Sequence, residues 1–275
     1  MYKNHTGYPS GVQGDVLNGT QLKSILEGLK DNELLQDIGH ILTGYIGSVS
    51  FLLTVIHIVQ TIRQQSPGSR YVCDPVLGDN GKFYVPPELV EVYRNEVLPI
   101  ADVVTPNQFE VEQLTGIKIT SMEDALKACQ KLHEMGPKLV VITSLTLTNE
   151  ITESLCESKK EEPASIAILA SQSNPAELWR VDSPLVPGTF TGTGDLCASL
   201  LLAWTDREKH NLPLALEKVI GTMFSVIRRT SQEFQQLDGD ALTPARRVAA
   251  RELRLVQSKH DIEDPPILYK ARRIL

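Results

Sequence analysis

The stretch Thr191-Gly192-Thr193-Gly194-Asp195-Leu196, followed by an apolar run to Trp204, decides the reading of this chain. Its small and hydroxylated residues leave backbone N–H groups open. A helix predicted over residues 196–203 turns its positive dipole end toward the same gap. Together these make a cradle for an anion. A carboxylate at Asp195 would repel a passively held phosphate. It has a purpose as a base that takes the proton from a hydroxyl about to attack phosphorus. Phosphoryl transfer to a small alcohol is one reading of the segment. The other is an Asp that only caps the first turn of a buried helix.

Upstream of this segment, short β-branched runs alternate with longer amphipathic ones. Strands are predicted at residues 40–45, 70–75, 102–105, 138–143, 165–170 and 178–181. Residues 48–65 carry Phe51, Val55, Ile58, Val59 and Ile62 on one helical stripe. Shorter helices are expected at 87–97 and 108–114. A longer one, 121–135, starts near a capping box (Ser121, Asp124) and stops at Gly136-Pro137. Strand-helix alternation is the grammar of a mostly parallel sheet covered by helices on both faces. The run KLVVIT at 138–143 lacks polar alternation in its middle, as a strand buried on both faces should. After it the pattern changes to a hairpin and then three helices, 193–205, 212–234 and 243–258. Residues 151–164 are mostly polar, and the charge run 157–162 reads as a solvated loop. There is no linker or internal repeat, so one domain over residues 1–275 is expected.

In open parallel sheets, ligands bind beyond the carboxyl ends of the strands. Those ends are polar here: Thr43-Gly44-Tyr45, Asp74 to Asp79, Thr105 to Glu110, and Thr143-Ser144. Asp74, Asp79 and Glu110 are hard oxygen donors suited to Mg²⁺ and its waters. Thr105, Asn107, Thr143 and Ser144 are neutral hydrogen-bonders suited to a nucleotide. Singly, each has a plain structural reading as a turn or a strand exit. Four polar exits from successive strands favour a site.

Composition narrows the classes. With 27 basic and 34 acidic residues the net charge is −7, which disfavours sequence-independent nucleic-acid binding. The six histidines are scattered without metal-ligand spacing. Cys73, Cys129, Cys156 and Cys197 form no C-x-x-C pair, and a reducing compartment fits them best. No apolar stretch is long enough to span a bilayer and residues 1–5 lack a signal-peptide core, so a cytoplasmic protein without membrane contact is expected.

Several motifs, in their order and spacing, resemble the pyridoxal kinase family of the ribokinase-like superfamily. They are NHTGY at 4–8, ILTGY at 41–45, YVCDPVLGD at 71–79, YVP at 84–86, TPNQFE at 105–110, VVITS at 140–144, TGTGDL at 191–196 and LRLVQSKHDIEDP at 253–265. GTGD alone marks only the superfamily; NHTGY, CDPVLGD and TPNQFE together are more specific. The resemblance implies an α/β ribokinase-like fold and ATP-dependent phosphorylation of the 5′-hydroxyl of pyridoxal, pyridoxine or pyridoxamine. It implies Asp195 as the base and the amides of Gly192, Thr193 and Gly194 as the anion hole for the γ-phosphoryl group. Asp74 is placed near metal and phosphates, with Asp79 and Glu110 helping to hold hydrated Mg²⁺ or another divalent ion. Thr105, Asn107, Thr143 and Ser144 resemble contacts to the nucleotide and to a monovalent cation such as K⁺. Val186, Phe190 and Ile227 resemble an apolar wall against adenine. Tyr84 resembles a lid tyrosine, and Thr6 a contact to the pyridine ring. Small-molecule partners and a homodimer are implied.

The chain departs from the family pattern at its start, since Met1 lies almost on NHTGY. The family carries a further strand, a glycine-bearing loop and a ring-contacting serine before that motif. A shortened N-terminus is therefore expected to weaken the vitamin half of the site more than the phosphate half. It is also expected to leave a strand edge prone to association. Two alternatives follow: a hydroxymethylpyrimidine kinase of the same superfamily, against which NHTGY argues, and a catalytically impaired short form.

Overall fold

The computed structural model describes residues 8, 9, 11, 17–146, 165–237 and 242–274. The elements run in chain order. They begin with α1 (Gly19–Asp31), β1 (His40–Thr43), α2 (Val49–Gln65), β2 (Arg70–Cys73), β3 (Gly78–Asp79), β4 (Lys82–Phe83) and α3 (Leu89–Val92). Next come β5 (Val103–Val104), α4 (Gln108–Thr115), α5 (Met122–Glu134), β6 (Leu139–Leu145), β7 (Ser165–Ser173) and β8 (Ala176–Pro184). Last are α6 (Thr193–Arg207), α7 (Leu212–Gln235), α8 (Pro244–Ala249), α9 (Lys259–Glu263) and β9 (Arg272–Arg273).

Contacts divide the chain into two compact units: Asn18–Arg180 with Arg273–Leu275, and Met1–Leu17 with Val181–Arg272. The larger unit holds β1, β2, β5, β6 and β7 of the sheet, whose seven strands follow the order β1-β2-β5-β6-β7-β8-β9. β1, β2, β5 and β6 are parallel neighbours, and β6 pairs antiparallel with β7, so the sheet is mixed. Tyr71, Cys73, Val104, Val140 and Ile142 point to one face, where they share a core with Leu52, Val55, Ile56 and Val59 of α2, Leu114 of α4 and Leu132 of α5. Val72, Val103 and Val141 alternate to the opposite face and are just as buried. Burial on both faces explains why these strands read as unbroken apolar runs.

Local chemistry sets the element ends. Ser48 caps α2 by accepting the Phe51 amide at 3.3 Å. The capping box at Ser121 and Asp124 is present, and Gly136 ends the α5 segment at φ +140°. The strands at 70–75 and 102–105 are shorter than the sequence suggested, because Pro75 and Pro106 cannot donate to a ladder. Residues 87–97 form only a short α3, then a π-helical turn, Tyr93–Val97.

The second unit is helical. α6 packs on α7, where Lys218 lies 4.2 Å from the centre of the Trp204 ring. The motif at 253–265 is a strap along α7. The Thr222 hydroxyl donates to the Asp261 carbonyl, Arg229 pairs with the Asp261 carboxylate at 3.0 Å, and the Arg254 amide donates to the Thr230 hydroxyl. The helix expected over 243–258 is not continuous. Only α8 falls within that stretch, with α9 starting after it, and the parallel β-bridge between Thr191 and Glu252 interrupts the helix. The polar stretch 151–164, with its charge run, lies outside the described residues.

Candidate active site

In the larger unit, the carboxyl ends of the parallel strands are stitched together. The Asp74 amide donates to the Thr43 carbonyl at 2.9 Å, the Thr105 amide to the Cys73 carbonyl at 3.0 Å, and the Thr143 amide to the Pro106 carbonyl at 3.0 Å. This backbone stitching brings Asp74, Thr105, Asn107, Thr143 and Ser144 onto one rim, as the sheet rule expects. Asp74 and Thr105 are buried, and the Thr105 hydroxyl donates to the Asp74 carboxylate at 3.3 Å.

Asn107 and Glu110 are held by the helix they start. Asn107 is the N-cap of α4, and the two residues form a capping box. Asn107 also donates from its side-chain amide to the Gly78 carbonyl at 2.8 Å. The Glu110 carboxylate accepts the Asn107 amide at 2.8 Å and the Leu77 amide at 3.0 Å, so it clamps α4 to the segment after β2. Burial pushes the Glu110 carboxyl up to about 8. The Asn107, Leu77 and Gly78 amides pull the other way, and the negative charge of Asp74 adds to the rise.

Asp79 lies on the β3–β4 hairpin, exposed, with both oxygens taken by Asn80. The hairpin turns through Asn80 and Gly81 at φ +48° and +76°, the left-handed pair of a two-residue turn. Phe83 packs edge-on against Phe109 at 5.2 Å, tying the hairpin to the first turn of α4. Tyr84, the expected lid residue, follows β4 and is 58% exposed. Among the described residues, no three Asp, Glu, His or Cys side chains stand together as a direct ligand set for an ion. Asp74, Asp79 and Glu110 are therefore not gathered as such a set. What the larger unit does hold is two buried, mutually repelling carboxylates, Asp74 and Glu110, a donor pair suited to a cation that keeps its waters.

Cys73 lies behind this rim, fully buried, with its thiol pushed by burial up to about 12. It is an inert core residue.

In the second unit, the segment that opened the sequence reading becomes the N-terminus of α6. Gly192 is the N-cap at φ +87° and provides no side-chain cap. Thr193, Gly194 and Asp195 occupy the first helical turn, where backbone N–H groups lack helical partners. Asp195 is exposed and makes no capping bond, which disfavours the purely structural reading. The arrangement offers amides and a helix dipole to an anion, with a carboxylate beside them. Val186, Phe190 and Ile227 are half-buried in the same unit. Phe190 borders a cavity of about 140 Å³ that is also lined by Pro187, Ser231, Phe234 and Arg251. Thr6 lies outside the described residues.

Two local signals in the sequence mark this geometry: the Asn-x-x-Glu capping box at 107–110 and the Asp79-Asn80-Gly81 hairpin pattern.

Comparison with known proteins gives a consistent result. The profile of the family described as phosphomethylpyrimidine kinase matches residues 31–220. The chain is 43% identical to pyridoxal kinase of Arabidopsis thaliana over 273 residues, 99% of this chain and 82% of the relative. It is 43% identical to pyridoxal kinase of Homo sapiens over 279 residues, 98% of this chain and 86% of the relative. Among solved structures, it is similar to pyridoxal kinase from Leishmania donovani in complex with ADP and pyridoxamine. That match has a TM-score of 0.82 and 28% identity, over 99% of this chain and 86% of that one.

Proposed function

This chain belongs to the pyridoxal kinase family, and on that premise we propose that it transfers the γ-phosphoryl group of ATP to the 5′-hydroxyl of pyridoxal, pyridoxine or pyridoxamine. The observation that carries the reading is the uncapped N-terminus of α6 with Asp195 exposed in its first turn. Asp195 takes the proton from the vitamin hydroxyl as that oxygen attacks phosphorus. The Gly192, Thr193 and Gly194 amides and the helix dipole stabilise the negative charge of the phosphoryl group in flight.

Thr105, Asn107, Thr143 and Ser144 orient the nucleotide and a monovalent cation such as K⁺. Val186, Phe190 and Ile227 form the wall for adenine. Tyr84 serves as the lid, and Thr6 as the contact to the vitamin ring. Asp74, Asp79 and Glu110 hold hydrated Mg²⁺, or another divalent ion, through its waters. When bound, that ion offsets the charge of the phosphates. The whole chain works as one catalytic domain, in the cytoplasm. We take the working form to be a homodimer, a reading supported by the exposed apolar residues Ile25 and Leu29, one turn apart on α1. No described helix is long and apolar enough to cross a membrane.

The matching profile is described as a phosphomethylpyrimidine kinase, so the second substrate to test is the pyrimidine alcohol of the same superfamily, a hydroxymethylpyrimidine. The test is to incubate the chain with Mg²⁺, γ-labelled ATP and each candidate alcohol, and to find the label. Label on the 5′-oxygen of the B6 vitamers supports the proposal. Label only on the pyrimidine, or on neither, contradicts it.

A further inference from the structure

The loop that leads into α6 is held from behind by three consecutive residues of the segment after α8. Arg251 donates from Nη1 to the Thr189 hydroxyl at 3.2 Å. Glu252 forms the parallel β-bridge with Thr191. Leu253 faces Gly192, its Cδ1 lying 4.0 Å from where a β-carbon on that glycine would sit. Gly192 itself is left-handed, a conformation open to glycine at no steric cost. Residues 251–253 therefore fix the path of the chain into the proposed anion hole.

Glu252 has a second attachment. Tyr8 donates its hydroxyl to Glu252 Oε1 at 2.5 Å, across 244 residues of sequence. The hydrogen bond to Glu252, then desolvation and the charge of that carboxylate, raise the Tyr8 hydroxyl above its ordinary value, and Tyr8 is a donor through the physiological range. One residue thus holds Thr191 by its backbone and Tyr8 by its side chain. A Glu placed for solubility alone would show neither contact.

We propose that Glu252 is a positioning residue for phosphoryl transfer, setting the anion-hole loop through Thr191 and coupling it to Tyr8. The inference rests on the kinase reading for its kinetic consequence, though not for its structural one. Glu252 donates no proton and touches no reacting atom. It acts by holding Gly192 and Tyr8 in register.

The test uses the full chain with Tyr8→Phe, Glu252→Ala, Glu252→Gln and the double variant Tyr8→Phe/Glu252→Ala. Small misplacement of reacting groups is expensive, so Tyr8→Phe and Glu252→Ala should each lower kcat for pyridoxal about tenfold. The Kd for ATP, titrated without vitamin, should stay near the wild-type value. Glu252→Gln keeps an oxygen that accepts from Tyr8 and should retain most of kcat. The double variant should be no worse than the poorer single, because both remove one interaction. Multiplying losses, no loss, or equal damage from Gln and Ala would overturn the proposal. Hydrogen exchange of the amides at 189–194 supplies a readout independent of activity. Faster exchange in Tyr8→Phe, with an unchanged melting temperature, supports the coupling. Unchanged exchange overturns it even if the chain proves to act on another alcohol.

Discussion

Asn107 and Glu110 cap each other across the first turn of α4. The Asn107 side chain accepts the Glu110 amide at 2.9 Å, and the Glu110 carboxylate accepts the Asn107 amide at 2.8 Å. The pair also reaches outward, Asn107 to the Gly78 carbonyl and Glu110 to the Leu77 amide. Helix capping and placement of the Asp74–Asp79 segment are therefore one task. Asn107→Ala removes the cap and the tie to Gly78, and should cost about 1–2 kcal/mol of stability. Urea denaturation checks this. A change of only a few tenths would mean that the tie is idle.

Glu110 should make the metal-free protein pH-sensitive. Burial raises its folded value to about 8, against 4.5 for an ordinary Glu. The folded state therefore binds this proton more tightly than the unfolded chain. The stability it contributes is full below about 4.5 and is lost as pH rises through about 8. Across that window the melting temperature of the wild type should fall relative to Glu110→Gln, whose side chain does not titrate. Parallel curves for the two proteins would contradict the assignment.

Gly192 separates backbone strain from steric blocking. A β-carbon there would meet nothing nearer than Leu253 at 4.0 Å, yet φ is +87°. Gly192→Ala should thus fit in space and still cost about 1–2 kcal/mol in conformation. If the backbone relaxes to escape that cost, the Thr193 and Gly194 amides re-aim and turnover falls. Full activity with full stability would show that the left-handed geometry is not needed.

Much of this was legible in the sequence because the physics there is local. The run at 138–143 reads as a doubly buried strand since both faces of β6 are covered, and Ser121 with Asp124 caps α5 as their spacing suggests. The position of Asp195 in the first turn of a helix was readable from the same local pattern. Misreadings came where distant residues decide. Residues 243–258 carry helical periodicity, but Glu252 pairs with Thr191 in a β-bridge that interrupts the helix. The Asn18–Gln21 capping box of α1 was available and passed over. That Glu110 commits its oxygens to backbone amides depends on Leu77, and no spacing rule connects residues 77 and 110.

Asp195→Asn keeps the shape of the first turn of α6 and removes its proton acceptor. Loss of a general base costs about 10²–10⁴-fold in rate. ATP affinity should persist, because removing a negative charge near the γ-phosphate cannot weaken anion binding electrostatically. Isothermal titration alongside steady-state rates checks both halves. Loss of ATP binding, with turnover falling only in proportion, would make Asp195 a structural residue instead.

The most direct measurement of the central claim is formation of pyridoxal 5′-phosphate from pyridoxal and Mg²⁺–ATP by the wild type and by Asp195→Asn, side by side, with a hydroxymethylpyrimidine as competitor. The expected result is one ADP per phosphorylated vitamer in the wild type, weak competition by the pyrimidine, and a rate at least about a hundredfold lower in the variant. Equal rates in the two proteins, or phosphorylation of the pyrimidine with none of pyridoxal, would contradict the account.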